Sequence, residues 1–281
     1  MRAEDIGTRV APEGLFAVGA ISQYVGAAIA VGLFDDIDAP GVALLRVLGA
    51  ALIVIAIRRP WRRAWTRAEL AWTAAFGVAL AGMNLFFYLA IDELPLGNAV
   101  AFEFLGPIVV ASLGARSARN ASAVVLAVSG VVLLAGVQPE GSAQGVAFAL
   151  AAGAAWAGYI VLGHRVARAG ISVDGLGLGM LLGAGAIAIV GASDLGPAFD
   201  TPGLLLLALS TGLFSNAIPY AIDQLVLQRI DQYRFALLQA MLPVSAALIG
   251  LIALSQTPTG GEVVGIALVV VALVVRGRSA T

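Results

Sequence analysis

Three ionisable side chains stand inside long apolar runs of this chain: Arg46, Glu103 and Asp223. An ionisable group in hydrocarbon costs at least about 2.5–3.5 kcal/mol on insertion scales, so such residues face a cavity or a partner. Arg46 and Glu103 each lie five residues inside the same end of their runs, roughly 8 Å deep at about 1.5 Å of helical rise per residue. Asn84 and Tyr88 fall in the same half of the run between them, and Asn98 falls near its rim. Such a layer can hold a zwitterion, with Arg46 taking a carboxylate and Glu103 taking an ammonium or a proton. The same residues also suit a structural Arg46–Glu103 ion pair, or an Arg46 that snorkels outward. A mirror layer near the opposite end contains Asn216, Tyr220, Asp223 and Gln239. Asp223 stands only six residues before Arg229 and equally suits a near-surface carboxylate. Gln23, Tyr24, Trp156 and Tyr159 either wall an amphiphilic ligand or simply pack. His164, beside Arg165, reads as a boundary residue.

Elements that place these groups in hydrocarbon must cross a bilayer, which takes about 20 mostly apolar residues each. Ten segments qualify: 13–34, 41–57, 70–91, 98–115, 121–137, 145–164, 175–192, 203–228, 235–254 and 260–275. Short polar or Pro/Gly turns separate them at Asp35–Pro40, Asp92–Gly97, Gln138–Gln144, Ser193–Pro202 and Ser255–Glu262. Fifteen of the sixteen arginines fall between these segments on one side, or at the two termini, and no lysine is present. The loops of the other side are acidic, with Asp35, Asp36, Asp38, Asp92, Glu93, Glu140, Asp194, Asp200 and Glu262. Positive charge marks the cytoplasmic side, so both termini are expected there. The fold expected is an all-α membrane protein of ten transmembrane helices.

Ten helices divide into two sets of five, the second starting on the opposite side. The run Asn84-Leu-Phe-Phe-Tyr88-Leu-Ala-Ile-Asp92 resembles Asn216-Ala-Ile-Pro-Tyr220-Ala-Ile-Asp223, and each is followed by a segment with an interior proline, Pro107 or Pro243. Two inverted five-helix repeats are therefore expected, at 1–140 and 141–281, with a site near the midplane between them. Pro107, Pro219 and Pro243 are candidate hinges. The small residues of 151–155 and 177–185 allow close helix approach.

Composition narrows the function classes. Hydrophobic residues make up 60% of the 281 and charged ones 12%, against roughly a quarter charged in soluble domains. With no cysteine and a single histidine, disulfides, thiol nucleophiles and His-rich metal sites are excluded, and neither a metal nor a cofactor is expected. A net charge of −1 gives no general attraction to nucleic acid. The first apolar run, from Leu15, is too long for a cleavable signal peptide. GxxxxGK[ST], GxSxG and HExxH are absent, so ATP-driven transport and the common hydrolases have no support. An intramembrane enzyme would need an aspartate pair that includes Asp223.

Several stretches together resemble the drug/metabolite transporter superfamily in its EamA-type group, and more narrowly the inner-membrane threonine/homoserine exporters. They are Ala39-Pro-Gly-Val-Ala-Leu-Leu-Arg46, Arg59-Pro-Trp-Arg62, Gly82-Met-Asn-Leu-Phe-Phe-Tyr88-Leu-Ala-Ile91, Pro95-Leu-Gly-Asn-Ala-Val-Ala-Phe-Glu103-Phe-Leu-Gly-Pro107 and Ile218-Pro-Tyr220. The block from Gly82 to Pro107 is the most specific. The resemblance implies two inverted repeats, a central cavity and efflux of small amphiphilic metabolites, and it puts Glu103 first among the site residues. The chain departs from the exporters in four places. Leu242 stands before Pro243 where they have Glu, and Ser255-Gln256 stands where they have Gly-Glu. Asn98 replaces an apolar residue, and Asp223 replaces a Glu.

The function expected is secondary transport in a bacterial inner membrane, exporting small amino acids or related zwitterions by proton-coupled alternating access. Proton and substrate ammonium would compete for Glu103, with Asp223 as a second proton-coupling carboxyl. Substrate would bind among Glu103, Asn84, Tyr88, Arg46, Asn216, Tyr220, Gln239, Trp156 and Tyr24. Facilitated or exchange transport of another metabolite or drug, and a structural or sensory membrane subunit, are the alternatives. The expected partners are a small-molecule substrate and membrane lipids, and the sequence leaves monomer and homodimer open.

Overall fold

A computed structural model describes residues 10–31, 33, 35–94, 96–136, 142–191, 195–245 and 259–277. Among them there is no strand. In chain order the helices are α1 (Pro12–Val31), α2 (Ala39–Arg58), α3 (Arg67–Glu93), α4 (Leu96–Glu103), α5 (Leu105–Leu113), α6 (Ala118–Ala135), α7 (Ala143–Arg168), α8 (Ser172–Gly191), α9 (Gly196–Asp200), α10 (Pro202–Gly212), α11 (Ile218–Leu227), α12 (Gln232–Leu238) and α13 (Gly260–Gly277). Another helical turn occupies 241–245. Among the described residues, six helical stretches are long and apolar enough to cross a membrane: Pro40–Arg58, Arg67–Glu93, Ala118–Ala135, Ala143–Arg168, Ser172–Ile189 and Pro202–Leu227. Asn98–Leu113 and Gly260–Val275 are shorter and also apolar. Large aliphatic side chains such as Leu52, Val78, Leu113, Val125, Ile189 and Leu206 point outward. An exterior this apolar is typical of a multi-pass membrane protein, whose solvent on that surface is lipid.

Polar side chains start the helices where the sequence turns. Asp38 caps α2 by accepting from Gly41 N, and Ser142 caps α7 by accepting from Gly145 N. Thr66 and Glu69 form a capping box at the start of α3, and Asp231 accepts from the amides of Tyr233 and Arg234 at the start of α12. Each cap satisfies amides that the first helical turn leaves without a partner.

Two expected helices are not continuous. The segment expected at 98–115 breaks at Phe104 into α4 and α5. Pro107 has no N–H for the carbonyl four residues earlier, which belongs to Glu103, and its ring crowds that carbonyl. The segment expected at 203–228 is interrupted by a π-turn, Leu213–Ala217, where the amide of Ile218 bonds the carbonyl of Leu213. Pro219 removes the bond that would have reached Ser215, so the wider turn follows from the same chemistry. A short helix, α9, fills part of the stretch expected as a turn at Ser193–Pro202.

Helix ends bearing arginine are tied to one another. Arg58 of α2 pairs with Asp174 of α8 at 2.8 Å, and Arg234 of α12 pairs with Glu13 of α1. Arg119 of α6 donates to the carbonyl of Val275 in α13. Arg165 of α7 lies over the ring of Trp72 in α3, 4.6 Å from its centroid. At the ends without arginine, Ser142 donates to Glu93 at 2.8 Å and joins α7 to α3.

Packing follows small residues. α3 lies against α7 and α8, α2 against α8 and α10, α1 against α11, α5 against α7 and α12, and α6 against α13. A Cβ on Gly77 of α3 would collide with the backbone of Gly179 in α8, and one on Gly106 of α5 would collide with Gly153 in α7. Backbones come this close in lipid because dispersion, rather than expulsion of water, drives their contact.

Candidate functional site

Arg46, Asn84, Tyr88, Asn216, Tyr220 and Asp223, expected in two layers, meet in one cluster between α2, α3, α7 and the α10–π–α11 helix. Arg46, 8% exposed, donates from Nε to Ser215 Oγ at 3.1 Å. Its Nη1 donates to the hydroxyl of Tyr88. Nη2 has no hydrogen-bond partner among the described residues. Ser215 Oγ lies 2.7 Å from both the carbonyl of Thr211 and Asn216 Oδ1. Asn84 donates to the carbonyl of Leu80 at 2.9 Å and reaches the hydroxyl of Tyr220 at 3.5 Å. Tyr159 donates to Asp223 Oδ2 at 2.8 Å, and its ring lies 5.5 Å from that of Tyr220.

Backbone geometry places these side chains. The π-turn carries Ser215 and Asn216 to α2, and a Cβ on Gly212 would collide with the carbonyl of Arg46. Glu103 ends α4 at the break made by Pro107, where its carbonyl lies 2.6 Å from the place a Cβ on Gly153 would occupy. Its side chain is buried and within electrostatic reach of Tyr24 and Tyr220. Tyr220 is also within electrostatic reach of Arg46 and Asp223. The ion pairs among the described residues join Arg58 to Asp174, Arg63 to Glu69 and Arg234 to Glu13. The structural pair considered for Arg46 and Glu103 is not among them.

Other expected residues lie apart. Trp156 packs edge-on against Phe104, with centroids 4.8 Å apart. Gln239 is buried in the turn after α12, and no hydrogen bond ties its side chain to the cluster. Asn98, expected near the rim of the layer, is buried. Leu242 is buried, whereas Ser255 and Gln256 lie outside the described residues. An apolar cleft lined by Phe104, Pro107, Ile108, Ala236, Leu237 and Ala240 holds no group that would bind a zwitterion.

Sequence reasoning missed two residues, Ser215 and the role of Tyr159. Ser215 directly precedes Asn216 and stands four residues before Pro219, and that spacing is the one sign that its neighbourhood would turn inward.

Buried polar atoms without partners form a second pattern. Among the described residues they are Thr73 Oγ1, Asn120 Oδ1, His164 Nδ1, Ser172 Oγ, Asn216 Nδ2, and both Gln224 Nε2 and Oε1. All but Asn216 lie near arginine-bearing helix ends. Phe76 is fully buried and stacked on Tyr159, with centroids 5.3 Å apart. Its ring also fills the space beside Gly163 and Gly179, where an added Cβ would lie 3.1 Å away.

Residues 143–276 match the EamA-like transporter family. The chain is 37% identical over 250 residues to the threonine/homoserine exporter RhtA of Salmonella typhimurium strain LT2, covering 88% of this chain and 84% of that protein. It is 36% identical over 264 residues to the RhtA exporter of Escherichia coli strain K12, covering 93% and 89%. A protein known from a crystal structure shares the fold at a TM-score of 0.76 and 21% identity, over 95% of this chain and 97% of that one. With relatives this similar over most of both chains, and with helices built to cross a membrane, this protein belongs to the EamA-like transporter family.

Proposed function

We propose that this protein is a secondary transporter that exports small zwitterionic amino acids of the threonine/homoserine kind across a bacterial cytoplasmic membrane. The carrying observation is a buried guanidinium, Arg46, that shares one cluster with two buried carboxyl side chains, Glu103 and Asp223, and is ion-paired to neither. A zwitterion presents the complementary charges. Its carboxylate would take the uncommitted Nη2 of Arg46 and the unpartnered Nδ2 of Asn216, and its ammonium would take Glu103. The substrates named for the two exporters fit this chemistry.

The architecture we propose is ten transmembrane helices in two inverted repeats, 1–140 and 141–281, with both termini in the cytoplasm. α4 and α5 together make the fourth span, and α10, the π-turn and α11 the eighth. A two-fold axis in the membrane plane would bring the second span to the seventh, the fourth to the ninth and the fifth to the tenth. The contacts of α2 with α8, α5 with α12 and α6 with α13 agree with that axis. So do the paired contacts of α3 with α7 and of α11 with α1. The family match begins at residue 143, where the second repeat would begin. The tethers among arginine-bearing ends support one cytoplasmic face.

Alternating access with proton exchange at Glu103 completes the reading. A buried amide without hydrogen bonds is costly. Gln224, Thr73 and Ser172 would gain partners in a second conformation in which water reaches them from the arginine side, and Phe76 would part from Tyr159 to admit it. Proton and substrate ammonium would compete for Glu103, because burial penalises a lone charge. In inside-out vesicles, threonine uptake driven by an imposed pH gradient is expected to lose at least tenfold of its gradient dependence in Glu103→Gln. Export by that variant with unchanged pH dependence would remove Glu103 from the coupling. A panel of zwitterions, organic acids and amines in the same vesicles tests the substrate class.

A further inference from the structure

Away from the site, the arginine-bearing face holds a small built surface with no role in the transport reading. It lies between α2 and α3, where Arg58, Arg59, Arg62, Arg63 and Arg67 crowd into ten residues together with Trp61 and Trp65. The backbone there is fixed. Arg59 has a left-handed conformation (φ 52°, ψ 56°), the only positive φ outside glycine among the described residues. An L residue resists that region, so other contacts must hold it. The amide of Arg59 bonds the carbonyl of Ile55 at 2.7 Å, Pro60 is buried at the start of a 3₁₀ turn (Pro60–Arg62), and Trp65 Nε1 donates to the carbonyl of Pro60 at 2.9 Å.

The carboxylates bonded to this loop are already taken. Glu69 accepts from Arg63 Nη2 at 2.6 Å and from the amide and hydroxyl of Thr66, while Arg63 also lies over Trp65, 4.8 Å from its centroid. Asp174 accepts from Arg58. Arg59, Arg62 and Arg67 are left exposed, with no ion pair among the described residues, and the indole of Trp61 beside them is 64% exposed. Two of these five arginines are thus engaged in ion pairs, while Arg59, Arg62 and Arg67 stay exposed in the same short stretch as the exposed Trp61.

We infer that Arg59, Arg62, Arg67 and Trp61 form a headgroup site for anionic phospholipid. The guanidinium fork matches phosphate oxygens in pairs. A basic segment next to a membrane helix is drawn to an anionic leaflet, and an indole with one polar edge settles at the level of the headgroups. Trp72, one turn into α3 and 40% exposed under Arg165, belongs to the same belt. A protein partner would need a groove or a broad apolar patch, whereas this turn offers three exposed arginines and one exposed ring on a short loop. The inference requires only that this face meet the bilayer surface, and it stands whatever the transported substrate proves to be.

The test uses the full chain in detergent with mixed phosphatidylglycerol and phosphatidylcholine of matched tails, counting retained lipids by native mass spectrometry. The unaltered protein is expected to keep phosphatidylglycerol over phosphatidylcholine, with a preference that falls as salt rises. The triple variant Arg59→Gln/Arg62→Gln/Arg67→Gln should lose that preference about tenfold, while its circular dichroism and elution volume stay unchanged. Arg59→Lys/Arg62→Lys/Arg67→Lys, which keeps charge without the fork, should fall between them. Arg116→Gln/Arg168→Gln, which removes two arginines elsewhere on the same face, should keep it. Unchanged retention by the triple Gln variant overturns the inference. An equal loss in the Arg116/Arg168 control overturns it too, because the preference would then follow total charge.

Discussion

Arg46 is held at two points, Nε by Ser215 and Nη1 by Tyr88, and this decides which way its remaining nitrogen faces. Lysine at that position keeps the charge but cannot bond two fixed oxygens and still present a third donor in one plane. A charged hydrogen bond contributes roughly 1.5–3 kcal/mol. Arg46→Lys is therefore expected to weaken threonine binding about tenfold or more, measured as the half-saturation of counterflow in proteoliposomes. A matched amine without the carboxylate should be affected far less. Equal losses for both would mean that Arg46 organises the cluster and does not bind substrate. Which residue types would carry cost in hydrocarbon was legible in the sequence, and so was the nearness of Arg46 and Tyr88. That Ser215 and Tyr159 would be the partners of Arg46 and Asp223 was not. A serine and a tyrosine in apolar runs look alike whether they face a ligand, a neighbour or lipid.

Pro107 and Pro219 act one level up, on whole helices. Each deletes the amide that would bond a residue of the site, Glu103 in one case and Ser215 in the other, and the helix opens there as a break or a π-turn. Both prolines were expected as hinges, whereas the form each opening takes depended on the neighbouring helices. At Glu103 the chain rests on Gly153, and at the π-turn α1 and α2 both pack against the widened backbone. Proline in a helix interior costs about 3 kcal/mol relative to alanine. Pro219→Ala is expected to raise the melting temperature in detergent and to lower initial export several-fold, because a closed helix turns Ser215 away from Arg46. A variant with both higher stability and full export would show that the π-turn is incidental to transport. Pro243 begins a stretch whose continuation at 246–258 lies outside the described residues.

For the whole molecule, the absence of cysteine from the sequence provides a clean background for a test of access. Single variants Gln224→Cys and Thr73→Cys place a thiol where the described conformation is fully buried. During turnover with threonine they are expected to react with a membrane-impermeant maleimide applied from the cytoplasmic face, and to react at least several-fold less from the outside. Silence from both faces would contradict a second, inward-open state. Reporter fusions at each terminus should both read as cytoplasmic, and an external reading at either would break the ten-span arrangement.

By itself the sequence determined that this chain is helical, that lipid is its solvent and that it is kin to EamA-like transporters. Sixty percent apolar residues in runs of bilayer length leave the backbone no other way to satisfy its hydrogen bonds. The tertiary structure decided that Arg46 meets Ser215 and Tyr88, that Asn84 reaches Tyr220, that Asp223 meets Tyr159, and that Phe76 stacks on Tyr159. In a soluble protein an apolar stripe marks which face of a helix turns inward. Here both faces are apolar, so the facing residues are chosen by glycine contacts and proline breaks between segments far apart in the chain, and no local pattern encodes them.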